Sequence, residues 1–222
     1  MLIDPKDALR SAARYLQQNP DVMKKVVHNV RDYKLTIPLD VLRYVAKKAE
    51  GKKNAPKDVT VEAVAPALKV GGQVAVMGTA LRFSVTILVD DVSVNKEELR
   101  FQVRLSGVKL DVEGDGSSPV VALIKSGMLD LSKPGNIVRY LPNRPPFLLE
   151  AEDDRIVMDL MREEKITKNP KVAKVLSILV PVFGLRRVAA EGDALVLELI
   201  PRREGVSELY GRARDRVRSM IP

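Results

Sequence analysis

The residues that could do chemistry are few, and their spacing argues against catalysis. His28 is the single histidine of the 222 residues. It lies between Val27 and Val30 in a helical pattern, with no serine or acid arranged around it as a nucleophile or proton relay, so it reads as a structural or surface side chain. With no cysteine in the sequence there is no disulfide, thiolate nucleophile or cysteine metal site. The acidic run Glu150, Glu152, Asp153, Asp154 and Asp159 offers carboxylates for a metal or an acid–base pair, but it reads more simply as a solvated turn before a strand. Asp111, Glu113, Asp115 and Gly116 imitate the first half of a calcium loop. The twelfth position, where a bidentate Glu is needed, is Ala122. Gly71-Gly72 lacks the lysine of a phosphate loop. The expectation is a protein that is not an enzyme and carries no metal or cofactor, a bound lipid or fatty acid excepted.

Charge is distributed unevenly. Of the formal +8, residues Met1 to Asp58 carry 13 Lys/Arg against 7 Asp/Glu, and Arg202 to Pro222 carry 6 against 3. The middle is close to neutral, so the basicity belongs to the two ends. That pattern suits terminal segments touching an acidic surface. Nucleic acid ranks third as a partner, after lipid and protein, because aromatics are only 4% of the chain and no strand offers a stacking platform. The charged start of the chain and the absence of an apolar run near ~20 residues predict a cytoplasmic protein, with a peripheral membrane contact.

The elements that must position these residues follow from periodicity. Asp4-Pro5, Asn19-Pro20 and Pro38-Leu39-Asp40 are helix-entry signals, and apolar stripes behind each predict three helices in the first 50 residues. Gly51 to Asp58 reads as a basic connector. From Val59 the period becomes two. Leu81, Phe83, Val85, Ile87 and Val89 alternate with polar residues, the phase slips at Asp90-Asp91, and Val92 and Val94 continue the apolar face. Leu99, Phe101, Val103 and Leu105 do the same, slipping at Gly107 before Val108, Leu110 and Val112. Two strands of about 15 residues with one slip each predict a long, strongly bent antiparallel hairpin. Short helices are predicted near Pro119 and Pro134, a strand at Arg155 to Met161, and an apolar helix from Pro170 through Val175 and Leu179. A closing hairpin follows at 183–200, and an amphipathic basic helix runs from Val206 to Ile221.

The predicted architecture is therefore α+β: a long, strongly bent antiparallel sheet wrapped around or covered by helices, with helical N- and C-terminal segments. Its three parts are a helical segment and connector (1–58), the curved-sheet domain (59–201) and the basic C-terminal helix (202–222). The phrase Leu35-Thr36-Ile37-Pro38-Leu39-Asp40-Val41-Leu42, leading into Val59-Thr60-Val61-Glu62, is similar to the start of small bacterial lipid-binding members of the tubular lipid-binding (TULIP) superfamily. The order of elements over residues 34–201 resembles that group as well. The resemblance implies a curved sheet wrapping a long helix, with a seam that accepts acyl chains.

Low aromatic content favours a flexible aliphatic ligand over a sugar or planar cofactor. The expected lipid-contacting residues are drawn from Leu81, Phe83, Val85, Ile87, Leu99, Phe101, Val103, Leu105, Val175 and Leu179. Plain core is the competing reading of the same spacing. For the C-terminal helix, packing on its own domain, docking on a protein and lying on an anionic membrane all stay open. On the membrane reading Arg212, Arg214, Arg216 and Arg218 are the contacts. The alternative function is a scaffold or adaptor that binds a protein partner through its basic ends.

Overall fold

A computed structural model describes residues 5–21, 33–50, 55–76, 78–95, 97–114, 119–139, 144–168, 170 and 180–202. Beyond Asp21 the second expected helix, beyond Pro170 the apolar helix through Val175 and Leu179, and the whole of the expected C-terminal helix fall on residues outside this set, as does His28. The described elements are helix α1 (Pro5–Gln18), strand β1 (Lys34–Pro38), helix α2 (Leu39–Ala49), and strands β2 (Lys57–Val64), β3 (Ala67–Val76), β4 (Thr79–Val94) and β5 (Leu99–Glu113). They continue with helices α3 (Pro119–Lys125) and α4 (Pro134–Arg139), strands β6 (Leu148–Glu152) and β7 (Arg155–Asp159), a 3-10 turn (Leu160–Arg162) and helix α5 (Glu164–Thr167). Strands β8 (Phe183–Glu191) and β9 (Ala194–Pro201) close the series.

The strands form two antiparallel sheets, one of six strands in the order β2-β3-β4-β5-β7-β6 and one of three in the order β1-β9-β8. This corrects the expected helix-covered α+β domain, because sheet dominates the described residues and α3, α4 and α5 are only 7, 6 and 4 residues long. A helix of one or two turns cannot span a sheet face. The 1–58 segment is not wholly helical either. Leu35-Thr36-Ile37 is too short and too β-branched for a helix, and it pairs with β9, Leu35 opposite Leu197 and Ile37 opposite Leu195.

The long hairpin forms as its alternation demands. Strands of 16 and 15 residues pair from Ala80–Glu113 to Val94–Leu99. Between Val89 and Asp91 the register shifts because Asp90 is an extra residue on β4. Between Ser84 and Thr86 the extra residue is on β5, where Gly107 takes φ +58. Each bulge returns the apolar side chains to the same face and increases the local twist, so one apolar face continues along a bending ribbon.

The remaining strands extend that face. Val61, Val70 and Val85 lie in one cross-strand row, with Ala63, Leu68, Ile87 and Leu105 in the next. At the β5-β7-β6 side, buried Val103, Leu148, Ala151 and Ile156 form a core cluster. Asp159, 7% exposed, secures this side: its Oδ1 accepts from Leu99 N at 3.1 Å and Met161 N at 3.0 Å. Strand β8 lies beside β4, whose residues 88–94 run on past the end of β3. Contacts at both ends fix it there, since Ala190 N donates to Pro66 O at 2.8 Å and the Arg202 guanidinium donates to Val94 O.

Helix α2 joins the two sheets. Pro38 precedes it without a side-chain cap, so the first helical N–H, that of Leu39, is satisfied by Asp193 O in the β8–β9 turn at 3.0 Å. Leu39 itself is completely buried. Four residues on, Arg43 donates through Nε to Val61 O on β2 (2.9 Å) and through both terminal nitrogens to the Asp193 carboxylate (2.9 and 2.7 Å). Its Nη1 also reaches Asp40 at 2.9 Å. One planar guanidinium thus ties together helix, large sheet and small sheet.

Candidate functional site

The apolar face of the β4–β5 hairpin is the surface on which the sequence places ligand contacts. Leu81, Phe83, Val85 and Ile87 on β4 and Leu99, Phe101, Val103 and Leu105 on β5 share it, by the register of the two strands. They are not equivalent in burial. Leu81 (3% exposed) and Val103 (6%) are sealed core residues. Ile87, Phe101 and Leu105 are partly buried and pack against the cluster around Val103. Phe83, Val85 and Leu99 are half-buried and stand outside that cluster. Val175 and Leu179 lie outside the described residues, as do Arg212, Arg214, Arg216 and Arg218.

Phe83 has a local explanation. It sits directly across from Gly72, and a Cβ built there would come within 3.2 Å of its ring. The ring therefore covers the gap that glycine leaves in β3. Around it the half-buried row runs through Val70 opposite Val85, Leu110 opposite Phe83, and Val112 opposite Leu81. These side chains offer methyl and methylene groups and one aromatic ring, with no titratable atom among them. What the face can do is dispersion and hydrophobic contact with an apolar partner.

The groups whose protonation shifts lie elsewhere. The Arg43 hydrogen bond holds the Asp193 carboxyl below its ordinary value, and hydrogen bonds first to Asp193 and then to Asp40 raise the pKa of Arg43. Asp130 is lowered chiefly by the Ser132 hydroxyl, and Glu164 by the Lys168 ammonium at 2.6 Å. These are exposed surface contacts. The acidic run is accounted for by structure as well: Asp153 meets Lys133 at 3.2 Å, Asp154 approaches Arg104 at 3.9 Å, and Glu150 pairs with Arg155 at 3.7 Å. Among the described residues no group of three or more side chains is placed to hold a metal ion. Glu113 of the calcium-like run binds Arg82 at 2.7 Å.

No family model, curated protein or solved structure matches this chain. Nor, among the described residues, is any helix long and apolar enough to cross a membrane.

A second aliphatic surface escaped the sequence reading. In the small sheet Leu35, Leu197 and Val188 form one cross-strand row, Ile37, Leu195 and Ala190 the next, and Leu199 opposes Leu185. The leucines of this face are half-buried. The period-two spacing of Leu195, Leu197 and Leu199 is a visible signal. What hid the surface was the inclusion of Leu35 and Ile37 in the helical segment 1–58 rather than in a third strand. At the far end of the sheet Tyr33, 47% exposed, stands 6.3 Å from the ring of Phe183.

Proposed function

We propose that this chain is a non-enzymatic lipid-binding protein that holds one aliphatic tail against the apolar face of the β4–β5 hairpin, with its basic terminal segments meeting an acidic surface. The observation that carries this reading is the run of half-buried apolar side chains Phe83, Val85, Ile87 and Val89, flanked on β5 by half-buried Leu105 and Leu110, that is free of any charged or hydrogen-bonding side chain. From Phe83 to Val89 the row extends about 20 Å at ~3.3 Å per strand residue. A tail of one membrane leaflet occupies about 15 Å, half of a ~30 Å hydrocarbon core, so a single lipid tail fits the row end to end. Aliphatic side chains on both sheets and few rings suit a flexible chain better than a sugar or a nucleobase.

Native mass spectrometry of the gently purified chain tests the reading, paired with displacement of a fluorescent fatty acid. The expected outcome is a co-purifying lipid, and weaker fatty-acid binding by a folded Val85→Asp variant. A chain with no bound lipid and no fatty-acid binding would leave the adaptor function. In that case deletion of residues 1–33 or 204–222 should abolish capture of a protein partner while the fold persists.

A further inference from the structure

Strand β2 is one of the two edge strands of the six-stranded sheet, and α2 lies against it. Residues Thr60 to Val64 lie in register with Gly71 to Ala67 of β3, and along such a ladder only alternate residues turn their main-chain groups toward the partner strand. The bonds that Val61 O and Val59 N make away from β3 mark both residues as turned outward, and Ala63, two residues beyond Val61, shares that direction, since the N–H and C=O of one strand residue point to the same side. Two of these outward groups are taken by the side chains of Arg43 on α2 and of Glu50 just after its last turn. Arg43 Nε donates to Val61 O at 2.9 Å, and Val59 N donates to Glu50 Oε1 at 3.3 Å. These are the groups an added strand would use. Natural sheets cover or charge such edges to prevent pairing between chains.

Beside the apolar burial of Leu39, Val41, Ala46 and Ala49, the polar fastening of the cover comes from one remote residue, Asp193. Helix α2 is held at its first turn by Asp193 O on Leu39 N and by the paired hydrogen bonds of Arg43 to the Asp193 carboxylate. The side chains of Arg43 and Asp193 are 37% and 61% exposed, so water can compete for this fastening. The edge beneath is self-complementary. A twofold antiparallel pairing centred on Val61 sets Val59 across from Ala63 and Thr60 across from Glu62, with no like charges opposed and with both apolar faces on the same side.

We infer that the outer edge of β2 is a latent pairing surface for a second copy of this chain, and that Arg43, locked by Asp193, keeps α2 over it. The inference is independent of what the hairpin face binds. The test uses the full chain, with light scattering after size exclusion and amide exchange at low and high protein concentration. Wild type is expected to be monomeric, with the Val59 amide protected at every concentration.

Arg43→Ala should dimerise. At low concentration its Val59, Val61 and Ala63 amides should exchange faster than in wild type, and they should regain protection as concentration rises. A merely structural role would give faster exchange at all concentrations. Asp193→Asn weakens the lock while leaving the main-chain cap on Leu39, so it should dimerise too, and it decides the matter if Arg43→Ala is unfolded. Adding Ala63→Pro, which removes an outward N–H and spares the β3 pairing, should return either variant to monomer. A folded, monomeric lock variant, or a dimer that Ala63→Pro leaves intact, would overturn the inference.

Discussion

The β4–β5 hairpin and the Arg43 joint hold the same sheet by opposite means. In the hairpin each contact is made between residues close along a single ribbon. Its stability comes from many cross-strand apolar pairs, and its two bulges are marked by local residues, Asp90 and Gly107. In the joint, one side chain on α2 reaches a carboxylate 150 residues away and a carbonyl 18 residues away. Removing one hairpin pair leaves its neighbours in register. Removing Arg43 strips three partners at once. The difference teaches that this chain builds its sheet from local pattern and assembles its two sheets through a few long-range polar contacts.

The largest effect should come from Leu39, the buried residue under the joint. Leu39→Ala opens a cavity where α2 meets the sheets and is expected to cost about 2–5 kcal/mol in urea unfolding. A loss well under that range would mean the joint is less tightly packed than its complete burial implies.

A smaller loss is expected within the hairpin. Gly107 has φ +58 and only an ordinary 3.7 Å neighbour for an added Cβ, Thr86 Oγ1, so the cost of Gly107→Ala is backbone strain alone. It should be about 1–2 kcal/mol, with cross-strand contacts between Thr86 and Ser106 preserved in NMR spectra. Loss of that register would show that the glycine sets the bulge and does not merely tolerate it.

The smallest effect concerns acid. The Asp193 carboxyl has a folded-state value below its ordinary 3.8, because Arg43 hydrogen-bonds the ionised form. Its contribution to stability is therefore complete above that ordinary value and is lost as pH falls below it through the depressed value. Unfolding midpoints taken stepwise from neutral pH into that range should fall more steeply for wild type than for Arg43→Ala. Equal slopes would mean that the pair contributes nothing beyond its geometry, as many exposed ion pairs do.

Much of the candidate site was legible. The period-two runs from Leu81 and Leu99 predicted the strands, their pairing and both phase slips, because side-chain alternation reports directly which face is apolar. What alternation does not report is how deeply each residue is covered. Leu81 and Val103 carry the same signal as Val85 and Leu99, yet the first two are sealed and the others half-buried. Burial depends on elements distant in the chain: Val103 is closed over by β7 and β6, and Phe83 finds its place only because Gly72 lies opposite.

The sequence by itself determined the chemical class of the surfaces, the aliphatic interior, the basic ends and the bent hairpin, since composition and short periods act locally. It pointed the wrong way on the helix-covered architecture, because a short stretch such as Leu35-Thr36-Ile37 reveals its state only when a partner strand is present. Only the tertiary structure decided that this stretch closes a second sheet with β9. It alone decided that α2 takes its first cap from Asp193, and that Arg43 binds two sheets rather than facing solvent. Contacts across such separations depend on where the whole chain brings each residue, and no local spacing records that.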